Sequence, residues 1–152
     1  MKKLVGHTAS ALVAIALVGS GSIAALAGTA SASTTSQVCA QLASQANNIL
    51  TPLANASSAY TAASSAFTTA QATLTTDLTG FVTAIVPVIH DLDAGIDNPA
   101  HNNAFATAET TFVNDYVTTA NDRIAAFNTG TTLAQLQLQQ STISQLQNAL
   151  CK

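Results

Sequence analysis

The chain has 152 residues, of which 48% are hydrophobic and only 7% charged, with a formal net charge of −3. Four Lys and Arg residues are too few to build a phosphate-neutralising patch, which argues against nucleic acid as a partner. The apolar content equally argues against disorder driven by charge.

The first elements in the chain read as a targeting segment. Lys2 and Lys3 precede an apolar run from Ala11 to Ala27. Ala30-Ser31-Ala32 then supplies small residues at the −3 and −1 positions of a signal-peptidase site. The reading is a signal peptide over residues 1–32, cleaved after Ala32, followed by a single helical domain over residues 33–152. The alternative is an uncleaved anchor, since a run of about 17 apolar residues marginally spans a bilayer. Gly19, Gly21 and Ser22 interrupt the run and favour cleavage. No Cys sits at the cleavage site to take a lipid, and no later segment reads as a membrane span. Cleavage leaves Arg123 and Lys152 against Asp77, Asp91, Asp93, Asp97, Glu109, Asp115 and Asp122. The exterior must then be made mostly of Ser, Thr, Asn, Gln and Ala.

Beyond the leader the apolar spacing is helical. Leu42, Ala46, Ile49, Leu53, Ala56, Tyr60, Ala63, Phe67, Ala70 and Leu74 recur at steps of four and three, a heptad seam. Thr51-Pro52 predicts a break, with a short helix over 36–50 and a longer one over 52–79. After Gly80 comes a third apolar segment (Phe81, Val82, Ile85, Val86, Ile89, Leu92), which Pro87 should kink and Gly95 should end. Asn98-Pro99 predicts a cap and a new helix. Its face is read as Phe105, Ala108, Phe112, Tyr116, Ala120, Ile124 and Phe127, with Gly130 as its stop. A last helix carries Leu133, Leu136, Ile143, Leu146 and Leu150 inward. The sum is an all-α, up-and-down bundle of four to five helices.

Cys39 and Cys151 are the only cysteines. In an exported chain such a pair predicts one disulfide, Cys39–Cys151. A straight helix over 36–79 would be about 65 Å long and the last helix only about 28 Å. The bond therefore asks Pro52 to bend the chain strongly, or else it joins two molecules.

Chemistry-bearing motifs are sparse. Asp91, Asp93 and Asp97 around Gly95 resemble oxygen ligands of a calcium loop, but the order of ligands and the closing Glu are absent. His90 and His101 flank them and, with a carboxylate, are weak zinc candidates. Solvated side chains and helix caps explain the same residues, so no metal is assigned. Haem is not assigned either: there is no C-x-x-C-H, and Tyr60 and Tyr116 are explained by seam packing. The catalytic signatures G-x-S-x-G and H-E-x-x-H and a phosphate loop are missing, which predicts a protein without catalytic residues or cofactors. Asn55-Ala56-Ser57 is a glycosylation sequon, better read as an unmodified helix surface.

Two functions fit. The first is an exported structural or interaction protein of the cell envelope or medium, whose weakly charged surface favours self-association or adsorption to apolar surfaces. The alternative is a carrier of a small apolar ligand, lipid or haem, in an inter-helix cavity lined by Tyr60, Phe67, Phe81, Phe105, Phe112, Tyr116 and Phe127.

Overall fold

A computed structural model describes residues 35–151, which form two long helices, α1 (Thr35–Ala94) and α2 (Pro99–Leu150). The predicted leader and its cleavage site lie outside the described residues. The helices run antiparallel. Asp91 meets His101 beside the turn, the Thr119 hydroxyl reaches the Ala70 carbonyl halfway along, and Cys39 is bonded to Cys151 at the open end.

The four-to-five-helix bundle is thus corrected to a two-helix hairpin, because none of the expected internal breakers acts. Pro52 and Pro87 lie inside α1. Each removes a backbone hydrogen bond and costs a helix about 3 kcal/mol or more. Both sit beside the seam, not on it, and the seam continues on either side: Ile49 and Leu53 around Pro52, Ala84 and Val88 around Pro87. A break at either point would throw the following turns out of register with α2. Gly80 is an ordinary helical residue with open space around its Cα. Gly130 does not stop a helix either. A Cβ there would sit 3.1 Å from the Tyr60 ring, so the glycine is a notch that lets the tyrosine lie across α2.

The length mismatch at the disulfide disappears for the same reason. Continuous helices of 60 and 52 residues are about 90 and 78 Å long, so their free ends meet without a bend at Pro52. The bond is intramolecular, with Cα atoms 5.7 Å apart across 112 residues of chain.

The connection between the helices is compact. Gly95 adopts φ 68°, and its N–H donates to the Leu92 carbonyl while that of Ile96 donates to Asp91. This is the Schellman termination, which needs a left-handed residue. Asn98 then caps α2, accepting from the Ala100 N–H at 3.1 Å, with Pro99 in the first turn as expected. Gly95, just past the end of α1, and Gly80, inside it, give opposite expected outcomes. Gly95→Ala should cost about 1 kcal/mol by forcing a Cβ into the left-handed region. Gly80→Ala should add about 0.5–1 kcal/mol of helix propensity. Urea unfolding followed by circular dichroism reads both, and loss of stability in Gly80→Ala would contradict its open surroundings.

The seam of α1 is as predicted through Leu42, Ala46, Ile49, Leu53, Ala56, Ala63, Phe67, Ala70 and Leu74, while Tyr60 is 41% exposed. The seam of α2 is not. It begins with Phe105, Ala108 and Phe112 as expected, then runs through Asp115, Thr119, Asp122 and Ala126. Tyr116, Ala120, Ile124 and Phe127 all face outward. Thr119 is buried because its hydroxyl donates to the Asp115 and Ala70 carbonyls, at 2.7 and 3.2 Å. The small Ala63 and Ala70 opposite let α2 come close enough for that bond.

One 18-residue stretch of α1 reaches a mean hydropathy of 1.5 and passes for a membrane span by length and composition. The expectation that no segment after the leader is apolar enough fails by that measure. The same helix carries Asp77, Asp91 and Asp93 and pairs along its length with α2.

Candidate functional site

Few side chains in this hairpin are buried. Among hydrophobic residues only Leu42, Ile49 and Ala56 are, while fifteen large ones are exposed, Phe127 at 74% and Leu92 at 73%. Their arrangement follows from the seam. Give the seam positions of each helix the heptad letters a and d. Each step along an α-helix turns a side chain about 100°. One step past a seam position therefore leads to one flank, positions b and e. Because α1 and α2 are antiparallel, that step carries the side chains of both helices to the same side of the hairpin. Positions c and g line the opposite side.

On the first side stand Leu50, Leu78, Val82, Ile89 and Leu92 of α1, with Val113, Tyr116 and Phe127 of α2. Val86, Val117, Ile124 and Leu138 extend it around the outer edge at position f. The strip shifts helices along the hairpin. Between levels 63 and 77 of α1 its large residues come from α2 (Val113 to Phe127). Nearer the turn they come from α1 (Leu78 to Leu92).

The other side carries Gln45, Ala59, Ala66, Thr73, Thr76, Thr83, Asn114, Thr118, Asn121 and Gln135, with Pro52, Gly80 and Pro87. No exposed large hydrophobic falls there. An open groove of about 580 Å³ runs along it, lined by Thr75, Thr76, Thr79, Gly80, Thr83 and Ala84. The threonines of both faces turn their hydroxyls inward along the helix: Thr68 donates to Ser64 O, Thr83 to Thr79 O and Thr131 to Phe127 O. This back-bonding to the carbonyl four residues earlier spends the one donor of each hydroxyl and leaves its methyl to solvent. The surface is therefore drier than its Thr content suggests.

The seven aromatic residues expected to line one cavity are divided. Phe81 packs on Phe105 and Phe112 across the seam, with ring centroids 5.3 and 5.7 Å apart. Phe67 is half-buried farther along, Tyr60 lies over Gly130, and Tyr116 and Phe127 point outward. Two helices provide one seam and no third wall to close over these rings.

The residues weighed as metal ligands serve the turn instead. The His101 imidazole Nδ1 pairs with the Asp91 carboxylate at 2.5 Å. The Asn98 side chain lies 3.1 Å from the same nitrogen. Asp97 accepts from the Asn102 amide at 3.1 Å, while His90 and Asp93 are exposed. Among the described residues no three His, Cys, Asp or Glu side chains gather as metal ligands would.

Charge enters the seam itself at Asp77 and Asp115. Their mutual hydrogen bond, then burial, then the negative charge of Asp115 hold the Asp77 carboxyl above the usual carboxylate range. Asp77 Oδ2 is shielded from solvent and meets no donor, since two ionised carboxylates only accept; a proton held by the pair supplies the missing donor. Sequence reasoning missed this pair because it followed the apolar residues of α2 away from Asp115. The signal was the four–three spacing of Phe112, Asp115, Thr119 and Asp122.

Comparison with protein-family models, curated proteins and solved structures finds no match for this chain.

Proposed function

We propose that this is an exported, non-catalytic interaction protein that works through the apolar side of a disulfide-closed helical hairpin, at the cell envelope or in the medium. The observation that carries the reading is that twelve of the fifteen large exposed apolar side chains stand at the b, e and f positions of the two helices, the others being Tyr60 and Leu150 on the seam and Ile96 in the turn, with none exposed on the opposite side. Exposed apolar surface of this extent marks an interaction face in a soluble protein. Export is supported by the Ala30-Ser31-Ala32 site behind an apolar run and by a disulfide, which persists in oxidising compartments.

The test is adsorption of the oxidised protein to an alkylated surface and to a hydroxylated control, read by quartz microbalance. Val113→Gln with Phe127→Gln should remove most of the binding to the alkylated surface. Thr76→Gln with Thr118→Gln, on the other side, should leave it unchanged. Equal effects of the two pairs would sink the reading. Protein recovered from the host should begin at Ser33 and lie outside the cytoplasm, and an intact Met1 in a cytoplasmic fraction would overturn export.

A further inference from the structure

We infer that the partner of the apolar face is a second copy of this chain, packed face to face and antiparallel with Tyr116 of α2 at the two-fold axis. The inference rests on the reading of that face as the working surface, and it adds the identity and register of what covers it.

Charge placement carries it. Arg123 is the only Lys or Arg among the described residues, and Glu109 is the only Glu in the chain. Both are exposed, and neither forms an ion pair with a described residue. They stand seven residues either side of Tyr116, at the same heptad position on the apolar face, and Tyr116 is 60% exposed between them. If two copies of α2 lie antiparallel about Tyr116, Arg123 of each comes over Glu109 of the other. One geometry thus satisfies both unpaired charges twice.

The neighbouring residues fit the same register. Within one residue's rise, about 1.5 Å, Phe127 of one copy falls over Ala106 of the other and Val113 over Ala120, so these large side chains meet small ones. On α1 the same rotation sets Val82 and Ile89 against Thr68 and Thr61. Those threonines have turned their hydroxyls onto the Ser64 and Ser57 carbonyls and present methyls. The face from Ala106 to Phe127 is about 32 Å long and the hairpin about 20 Å wide. Each copy therefore covers roughly 600 Å², the order of the ~800 Å² per partner of a standard interface. Two copies make a four-helix bundle of two layers.

The test uses the full chain, oxidised, in sedimentation equilibrium across a concentration series. Wild type should be a dimer. Arg123→Glu and Glu109→Arg should each weaken dimerisation about tenfold or more, by replacing two attractions with two repulsions. The double variant carrying both reversals should return to within a few-fold of wild type. Under mild oxidation Tyr116→Cys should form a 116–116 cross-linked dimer, while Phe127→Cys, displaced from its own symmetry mate, should not. A wild-type monomer overturns the inference, and so does a dimer whose affinity ignores both reversals or that cross-links through position 127. Monomeric protein that still adsorbs through Val113 and Phe127, or that floats with lipid vesicles, would overturn the dimer while leaving the apolar face as the working surface.

Discussion

Replacing both Cys39 and Cys151 by Ala will cost about 4–5 kcal/mol of stability. The bond closes 112 residues of chain, and the chain-entropy model gives ~4.7 kcal/mol for a loop of about 100 residues. A whole domain commonly has only about 5–15 kcal/mol of net stability. The hairpin is more dependent on the staple than a globular domain of its size, since a single seam buries little. Its most deeply buried hydrophobic residues, Leu42, Ile49 and Ala56, all lie in the part of α1 next to Cys39. At the other end the glycine turn, the Asn98 cap and the Asp91–His101 pair hold the helices together. At the open end the disulfide does. Thermal melting should therefore move down by roughly 15–20 °C, given about 3–5 °C per kcal/mol at this size. Amide exchange should quicken first over residues 36–60 and 130–150. Replacing both cysteines avoids the intermolecular bonds that a lone thiol would make. A loss below about 1 kcal/mol, or exchange that quickens first at the turn, would show that the seam holds the ends without the bond.

What the sequence discloses about this architecture differs between the two helices. In α1 the seam is apolar at almost every position, so a period of 3.5 reads straight from the residue types. The turn is equally legible, because Gly95 and Asn98-Pro99 each have one conformational use there. In α2 residue type and position part company after Phe112. The seam passes through Asp115, Thr119 and Asp122, while Tyr116, Ile124 and Phe127 take the outer face. Following hydrophobicity alone leads one step around the helix, onto side chains that stand exposed. The helix breakers mislead for another reason. Whether Pro52 or Pro87 ends a helix depends on whether the turns on both sides pack on the same neighbour, and that is a property of α2, not of the local sequence. Gly130 is explained only by Tyr60, 70 positions away.

The seam acids make the hairpin more stable in mild acid than at neutral pH, and Asp77→Asn should remove that difference. Asp77 titrates above its ordinary value of 3.8 in the folded chain because it shares a hydrogen bond with Asp115, is partly buried and faces that residue's charge. Between 3.8 and the raised value the folded state holds a proton that the unfolded state has lost. Stability contributed by this group therefore falls as pH rises through that window. The penalty is fully present above the folded value and absent below 3.8. Asn keeps a donor for the Asp115 carboxylate and removes one of two like charges, so Asp77→Asn should exceed wild type in stability at pH 7. The two should converge as the pH drops below 3.8. Asp115→Asn should behave the same way, since either change leaves a single carboxylate in the pair. Denaturation midpoints at pH 7, 5 and 3 measure the gap, with each variant compared with wild type at the same pH. A gap of constant size from pH 7 to pH 3 would mean that the two carboxyls do not share a proton in the fold. A wild-type protein more stable than Asp77→Asn at pH 7 would mean that the ionised pair is held by something stronger than its own repulsion.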